Sequence, residues 1–166
     1  MGQLTNRGNT ISHVKTGLTK GTTSTYTTTA ASECSIDGKW ATDLAIQTNT
    51  ATPTTDAVDG LAFTALTDNQ ATVLVLGVNA AGAIQMAQGG IEATEVGITT
   101  TAGAFKRAPQ FPSLPDDFCP LGYLLVRTAP SASDWTPGTS NWTATGVTAS
   151  AVVEVNGSLP LRPQTS

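Results

Sequence analysis

The chain has 166 residues and a formal net charge of −4; 12% of its residues are charged, 5% aromatic and 39% hydrophobic. That length suits one domain able to bury a core, and so few Lys and Arg exclude a cationic nucleic-acid groove. A charge content well below the usual quarter or so, with Thr, Ala, Val and Gly in its place, suits a β-rich protein that spends its life in an assembly.

In chain order, Met1 to Ser24 is polar, dotted with Gly2, Gly8, Gly17 and Gly21, and sparse in apolar residues (Leu4, Ile11, Val14, Leu18). It reads as an extended N-terminal arm, residues 1–24, preceding a β-rich domain, residues 25–166. The Thr-rich run from Thr22 to Ala31, around Tyr26, predicts a strand. Asp37-Gly38, between Cys34 and Ile36 on one side and Trp40, Ala41 and Leu44 on the other, predicts a β-hairpin of open turn type. Thr48 to Gly60 is broken by Pro53 and the Asp56–Gly60 stretch and reads as a loop, with Leu61, Phe63 and Leu66 anchoring it.

The strongest signal follows. Thr72 to Val78 is a continuous apolar run, as in a strand buried on both faces. Asn79-Ala80-Ala81-Gly82 supplies a turn, and Ala83 to Gln88 reads as the return strand. Ile91 to Gly97 is short and ambiguous, compatible with one helical turn. Pro109, Pro112 and Pro115 exclude a central strand, and Pro115-Asp116-Asp117-Phe118 is turn chemistry. Leu121 to Thr128 predicts a strand. Ser131 to Thr145 is a loop carrying Trp135 and Trp142. Val147 to Val155 alternates and predicts one final strand, and Leu159 to Ser166 is a tail fixed by Pro160 and Pro163. Spaced short strands, Gly and Pro turns and no sustained helical period give an all-β fold class: a single-domain antiparallel β-sandwich or barrel with an N-terminal arm.

Little in the chain carries chemistry. His13 is the one histidine, and its place in the arm removes most routes to acid–base or nucleophilic catalysis near neutral pH. Carboxylate pairs exist at Asp116 and Asp117, Asp56 and Asp59, and Glu92 and Glu95. Adjacent strand residues point to opposite faces, and Asp in a turn caps backbone amides, so turn roles are expected. Asp56-x-x-Asp59-Gly60 lacks the alternating oxygen ligands of an EF-hand loop. Cys34 and Cys119 form no metal or disulfide pattern; they read as small buried hydrophobes, with one long-range bridge left open. Lys106-Arg107, the one adjacent basic pair, reads as a solvated surface dipeptide. Trp40, Trp135 and Trp142 offer either a sugar-stacking platform or cover for an open end of the core. The expectation is therefore a protein that is not an enzyme, with no catalytic, cofactor-binding or metal residues and no cofactor. The first 20 residues hold no apolar signal segment and no run approaches membrane-spanning length, so synthesis in the cytoplasm is expected.

The stretch from Phe105 to Tyr123, FKRAPQFPSLPDDFCPLGY, resembles a segment in virion structural proteins of tailed bacteriophages, proteins typically found among head genes. Ile36-Asp37-Gly38-Lys39-Trp40, Pro53-Thr54-Thr55-Asp56, Ala87-Gln88-Gly89 and the stretch from Trp135 to Trp142 fit the same pattern, so that it spans about residues 25 to 163. The resemblance implies a head decoration (cement) protein: a homotrimer on the capsid surface of the virion, made in the host cytoplasm. Its partner would be the major capsid protein, with no nucleic acid and no membrane. The alternative class is a head-fibre or tail module that binds a host receptor or glycan through the tryptophans.

Overall fold

The structure, a computed structural model, describes residues 10–132 and 134–164. It is all-β: twelve strands in three sheets, with every strand pair antiparallel and no helix among the described residues. Two long strands make the frame, β7 (Gln70–Val78) and β10 (Cys119–Thr128). The apolar run read from Thr72 to Val78 is buried along its length, as expected of a central strand. Alternation sends Val73 and Val75 to one face and Leu74, Leu76 and Val78 to the other.

β10 pairs with β7 along most of its length, with Leu124 opposite Leu74 and Tyr123 opposite Val75. The register shifts between Pro120 and Gly122, which leaves Leu121 as an extra residue, a β-bulge. The bulge explains two sequence oddities. Pro120 has no N–H for a ladder, and a bulge is where a sheet interior tolerates that. Leu121 and Leu124 stand three apart yet share one face, because the extra residue resets the alternation.

The hairpin after β7 closes onto β8 (Ile84–Gln88), with Val78 opposite Ile84. The Asn79 side chain accepts hydrogen bonds from the amides of Ala81 and Ala83 at 3.1 and 3.0 Å, the Asx chemistry that the turn residues predict. The helical turn left open over 91–97 does not form. Glu92–Ala93 is instead strand β9, which continues along the β7 edge beyond β8 with Ala93 opposite Gln70. The open ladder positions at the start of β7 outweigh a local helical preference that β-branched Ile91, Thr94 and Val96 make weak. The single strand expected over 147–155 is two pieces on the far edge of β10: β11 (Val147–Ala149) and β12 (Val153–Glu154). Between them Ser150 binds Leu125 twice: its amide donates to the Leu125 carbonyl at 2.8 Å and its hydroxyl accepts the Leu125 amide at 3.0 Å. That side-chain bond replaces a ladder bond and lets the chain bow out.

Two small sheets cover one face of this frame. One is β1 (Ile11–Ser12), β4 (Cys34–Ile36) and β5 (Lys39–Trp40); the other is β2 (Thr19–Lys20), β3 (Thr25–Thr27) and β6 (Thr50–Ala51). The Asp37-Gly38 hairpin links β4 and β5 as a two-residue turn with both residues left-handed, φ 50° and 73°, which defines type I′. Leu18, Tyr26, Cys34, Ile36, Trp135 and Trp142 close this core layer against Leu74, Leu76 and Leu124. Phe63 and Leu66 anchor the 48–60 loop as expected, whereas Leu61 is 64% exposed and does not. An irregular layer covers the opposite face: Phe105, Phe111 and Leu114 from the proline-rich segment and Leu159 from the tail pack on Val73, Val75, Tyr123 and Leu125. Phe111 meets Tyr123 edge-on at 4.9 Å, and the Tyr123 hydroxyl accepts the Gln164 amide at 3.1 Å.

The expected arm needs a correction over the part described here. Residues 10–24 lie in their own domain: β1 pairs with β4, β2 pairs with β3, and Ser12, Thr16 and Leu18 are buried. Sparse apolar residues suffice because Leu18 enters a core built by other segments. The remainder of the expected arm, residues 1–9, lies outside the described residues.

Candidate functional site

Each residue weighed for chemistry has a definite place in this fold. His13 is exposed on the small β1–β4–β5 sheet. Its Nε2 lies 3.1 Å from the Ser35 hydroxyl, and its ring stacks on Trp40 at 5.2 Å between centroids and 11° between planes. No Cys or carboxylate is within hydrogen-bond reach of the ring among the described residues. Asp116 and Asp117 are exposed in the turn that the Phe118 amide closes onto the Pro115 carbonyl at 3.2 Å. Glu92 sits on β9, and Glu95 is exposed just beyond it.

The Asp56–Gly60 stretch is a pair of Asx turns. Asp56 Oδ1 accepts the Val58 amide and Asp59 Oδ1 the Leu61 amide, each at 2.9 Å. Asp56 also faces the Gln88 amide at 3.4 Å, while the Ala57 amide donates to the Met86 carbonyl at 2.9 Å. The loop thus covers the outer edge of β8, a position where an open strand would otherwise invite pairing with another chain. Burial pushes the Asp56 carboxyl above its ordinary value, against the pull of the Val58 and Gln88 amides. No group of three or more His, Cys, Asp or Glu is placed to hold a metal among the described residues.

Trp135 and Trp142 share a loop as the sequence indicates, but they point inward. They are 1% and 3% exposed, with ring centroids 5.4 Å apart. Their indole N–H groups donate to the carbonyls of Asn141 at 2.9 Å and Thr25 at 3.1 Å. Rings enclosed and satisfied in this way have no face left for a sugar, which takes the stacking platform away from this pair. Trp40, 65% exposed, is the one tryptophan with a free surface. The loop is long enough to fold back over the end of the sheet, so that its aromatics close the core.

The side chains that the fold leaves unused are apolar and basic. Trp40, Ile46, Leu61, Val96, Ile98 and Leu161 are large, apolar and exposed. Val96 and Ile98 are 77% and 79% exposed on an excursion that runs out from Thr94 and returns at Phe105, closed by the Thr94–Phe105 and Ile98–Thr101 bridges. Sequence reading missed these positions, since an isolated Val or Ile in a Thr- and Gly-rich stretch carries no sign of which way it points. The chain was compared with protein families, with curated proteins and with solved structures, and it matches none of them.

Proposed function

We propose that this chain is a virion structural protein of the head decoration (cement) type, binding the outer surface of a capsid and bracing contacts between major capsid protein subunits. The observation that carries the reading is the surface. Large apolar side chains stand exposed at Trp40, Val96 and Ile98 in a chain with only 12% charged residues. Such positions on a weakly solvated surface suit permanent contacts with other proteins. The likeness of Phe105 to Tyr123 to tailed-bacteriophage virion proteins supplies the particle. Repetition over many equivalent capsid sites lets a modest affinity per contact stabilise a whole shell. A homotrimer suits three-fold positions on such a surface. The reading includes no enzymatic activity, no nucleic acid and no membrane.

The test is particle-based. Heads carrying this protein should show it in stoichiometric copy number on their outer surface in an electron density map. Heads lacking it should lose resistance to heat and chelators and recover it on add-back of the purified trimer. Unchanged resistance in stripped heads removes the cementing role. A copy number of a few per particle, at a fibre or the tail, favours the receptor- or glycan-binding alternative, which now rests on Trp40 alone among the tryptophans.

A further inference from the structure

Lys106-Arg107 looks like an ordinary solvated dipeptide in the sequence, but the fold gives it company. Phe105 lines two adjoining surface depressions of about 480 and 420 Å³. Arg127 lines the first, and Lys106, Arg107 and Arg162 line the second. Four of the chain's eight Lys and Arg residues thus line two depressions that share Phe105, in a protein whose net charge is −4. They come from three segments: the proline-rich layer, the central strand β10 and the C-terminal tail. None of the twelve Asp and Glu residues lines either depression, and no carboxylate pairs with any of the four among the described residues.

Arg127 is the telling member. It is half-buried on β10, with neutral Ala71 and Thr148 as its cross-strand neighbours. Its guanidinium carbon sits 5.5 Å from the Phe105 ring centroid, and its Nη1 donates to the Gly103 carbonyl at 3.0 Å. A fully buried guanidinium is almost always paired, and one that is half-buried has already given up part of its water. This one is oriented by a ring and a carbonyl, and its remaining donors meet no carboxylate among the described residues. A planar, preset fork of that kind fits a carboxylate in bidentate geometry. Buried Pro109 and Pro163 fix the backbone of the rim beside Lys106, Arg107 and Arg162.

We propose that this Phe105-centred basic face is a docking surface for an acidic peptide segment of a partner protein. One carboxylate enters the Arg127 depression beside Leu125, and neighbouring carboxylates meet the three rim cations. A nucleic acid fits less well: the Phe105 ring is covered by Arg127 rather than free to stack a base, and four charges on a net-negative chain make a poor track for a polyanion. Peptide recognition here does not depend on the partner being a capsid subunit, so failure of this proposal and failure of the cementing role are separate results.

The probe is a labelled octapeptide of alternating glutamate and alanine, followed by fluorescence anisotropy against the full chain. Its glutamine counterpart and octathymidylate serve as comparisons. The glutamate peptide should bind saturably and weaken as salt rises, while the glutamine peptide does not bind. Arg127→Gln should weaken binding about tenfold, and the exposed pair Lys106→Gln and Arg107→Gln together about threefold or more. Lys39→Gln, on the sheet covering the opposite face, should change nothing. Circular dichroism establishes that each variant is folded; should Arg127→Gln not fold, the Lys106 and Arg107 variant decides. The proposal is overturned by absence of saturable binding, by equal binding of the glutamine peptide, by an effect of Lys39→Gln as large as that of the rim pair, or by tighter binding of octathymidylate.

Discussion

Cys34 and Cys119 are neighbours where β4 packs against the start of β10, and both are buried and free. The neighbouring Cys34 thiol, and burial after it, push the Cys119 thiol well above the ordinary range, while the Cys119 side chain draws Cys34 down. The pair therefore packs as two small hydrophobes with a weak polar link. A chromogenic disulfide reagent should find both thiols in guanidinium. In the native protein it should react at least about a thousandfold more slowly, because reaction must wait for the β4–β10 packing to open. Fast native labelling, or fewer than two thiols after unfolding, contradicts this arrangement.

The inward-pointing tryptophans set a second expectation. Trp135→Ala or Trp142→Ala removes a ring enclosed in the main core and orphans the carbonyl that its indole N–H satisfied, so each should cost about 3–5 kcal/mol in urea unfolding. Trp40→Ala, on a ring largely in solvent, should cost less than about 1 kcal/mol. Fluorescence offers a check without mutation. Acrylamide should quench only the Trp40 component of the native emission and all three tryptophans after unfolding.

Legibility in the sequence followed the range of the interactions involved. The β7–β8 hairpin was readable because its signals are local: an apolar run, an Asn-led turn, an alternating return. The pairing of Tyr123 with Val153 also follows the two late apolar stretches. Strands of two residues, such as β1, β2 and β5, carry no periodicity to read, and this is why residues 10–24 looked like an arm. Ser150 breaks the final strand through a side-chain bond to Leu125 that alternation cannot reveal. The burial of Trp135 and Trp142 and the gathering of Lys106, Arg107, Arg127 and Arg162 depend on segments brought together only by the fold. In each of these cases the missing information was a long-range contact.

The bulge on β10 makes Gly77 a position where a side chain has no room. Gly77 lies opposite Pro120, and a Cβ there would fall inside van der Waals contact of the Cys119 carbonyl and the Phe118 ring. The carbonyl is main chain of β10 and the Phe118 ring is buried, so neither moves cheaply. Gly77→Ala should cost about 2–3 kcal/mol and Gly77→Val more, the second on overpacking grounds. Gly90→Ala, where an added Cβ meets nothing within 4 Å and φ is not left-handed, should fall within about 0.5 kcal/mol of the parent protein. Thermal unfolding of the two alanine variants side by side measures the difference.

Asp56 carries the last expectation, and its sign is the opposite of the usual carboxylate case. Burial holds its folded-state carboxyl above the ordinary 3.8, so the folded protein binds more protons than the unfolded chain in the pH interval just above 3.8. Linkage then makes the Asp56 contribution to stability fall as pH rises through that interval and recover as pH falls through it. Asp56→Asn keeps a side-chain oxygen for the Val58 amide and removes the charge. It should be at least as stable as the parent at neutral pH, with the parent gaining on it as the solution is acidified toward 3.8. Asp56→Ala loses the acceptor for Val58 and Gln88 and uncovers the β8 edge, and should cost about 1–2 kcal/mol at every pH where the parent carboxyl is ionised. Urea titrations of the three proteins at neutral and acidic pH measure both effects. A parent protein that loses stability relative to Asp56→Asn on acidification would mean that the amide hydrogen bonds, rather than burial, govern this carboxylate.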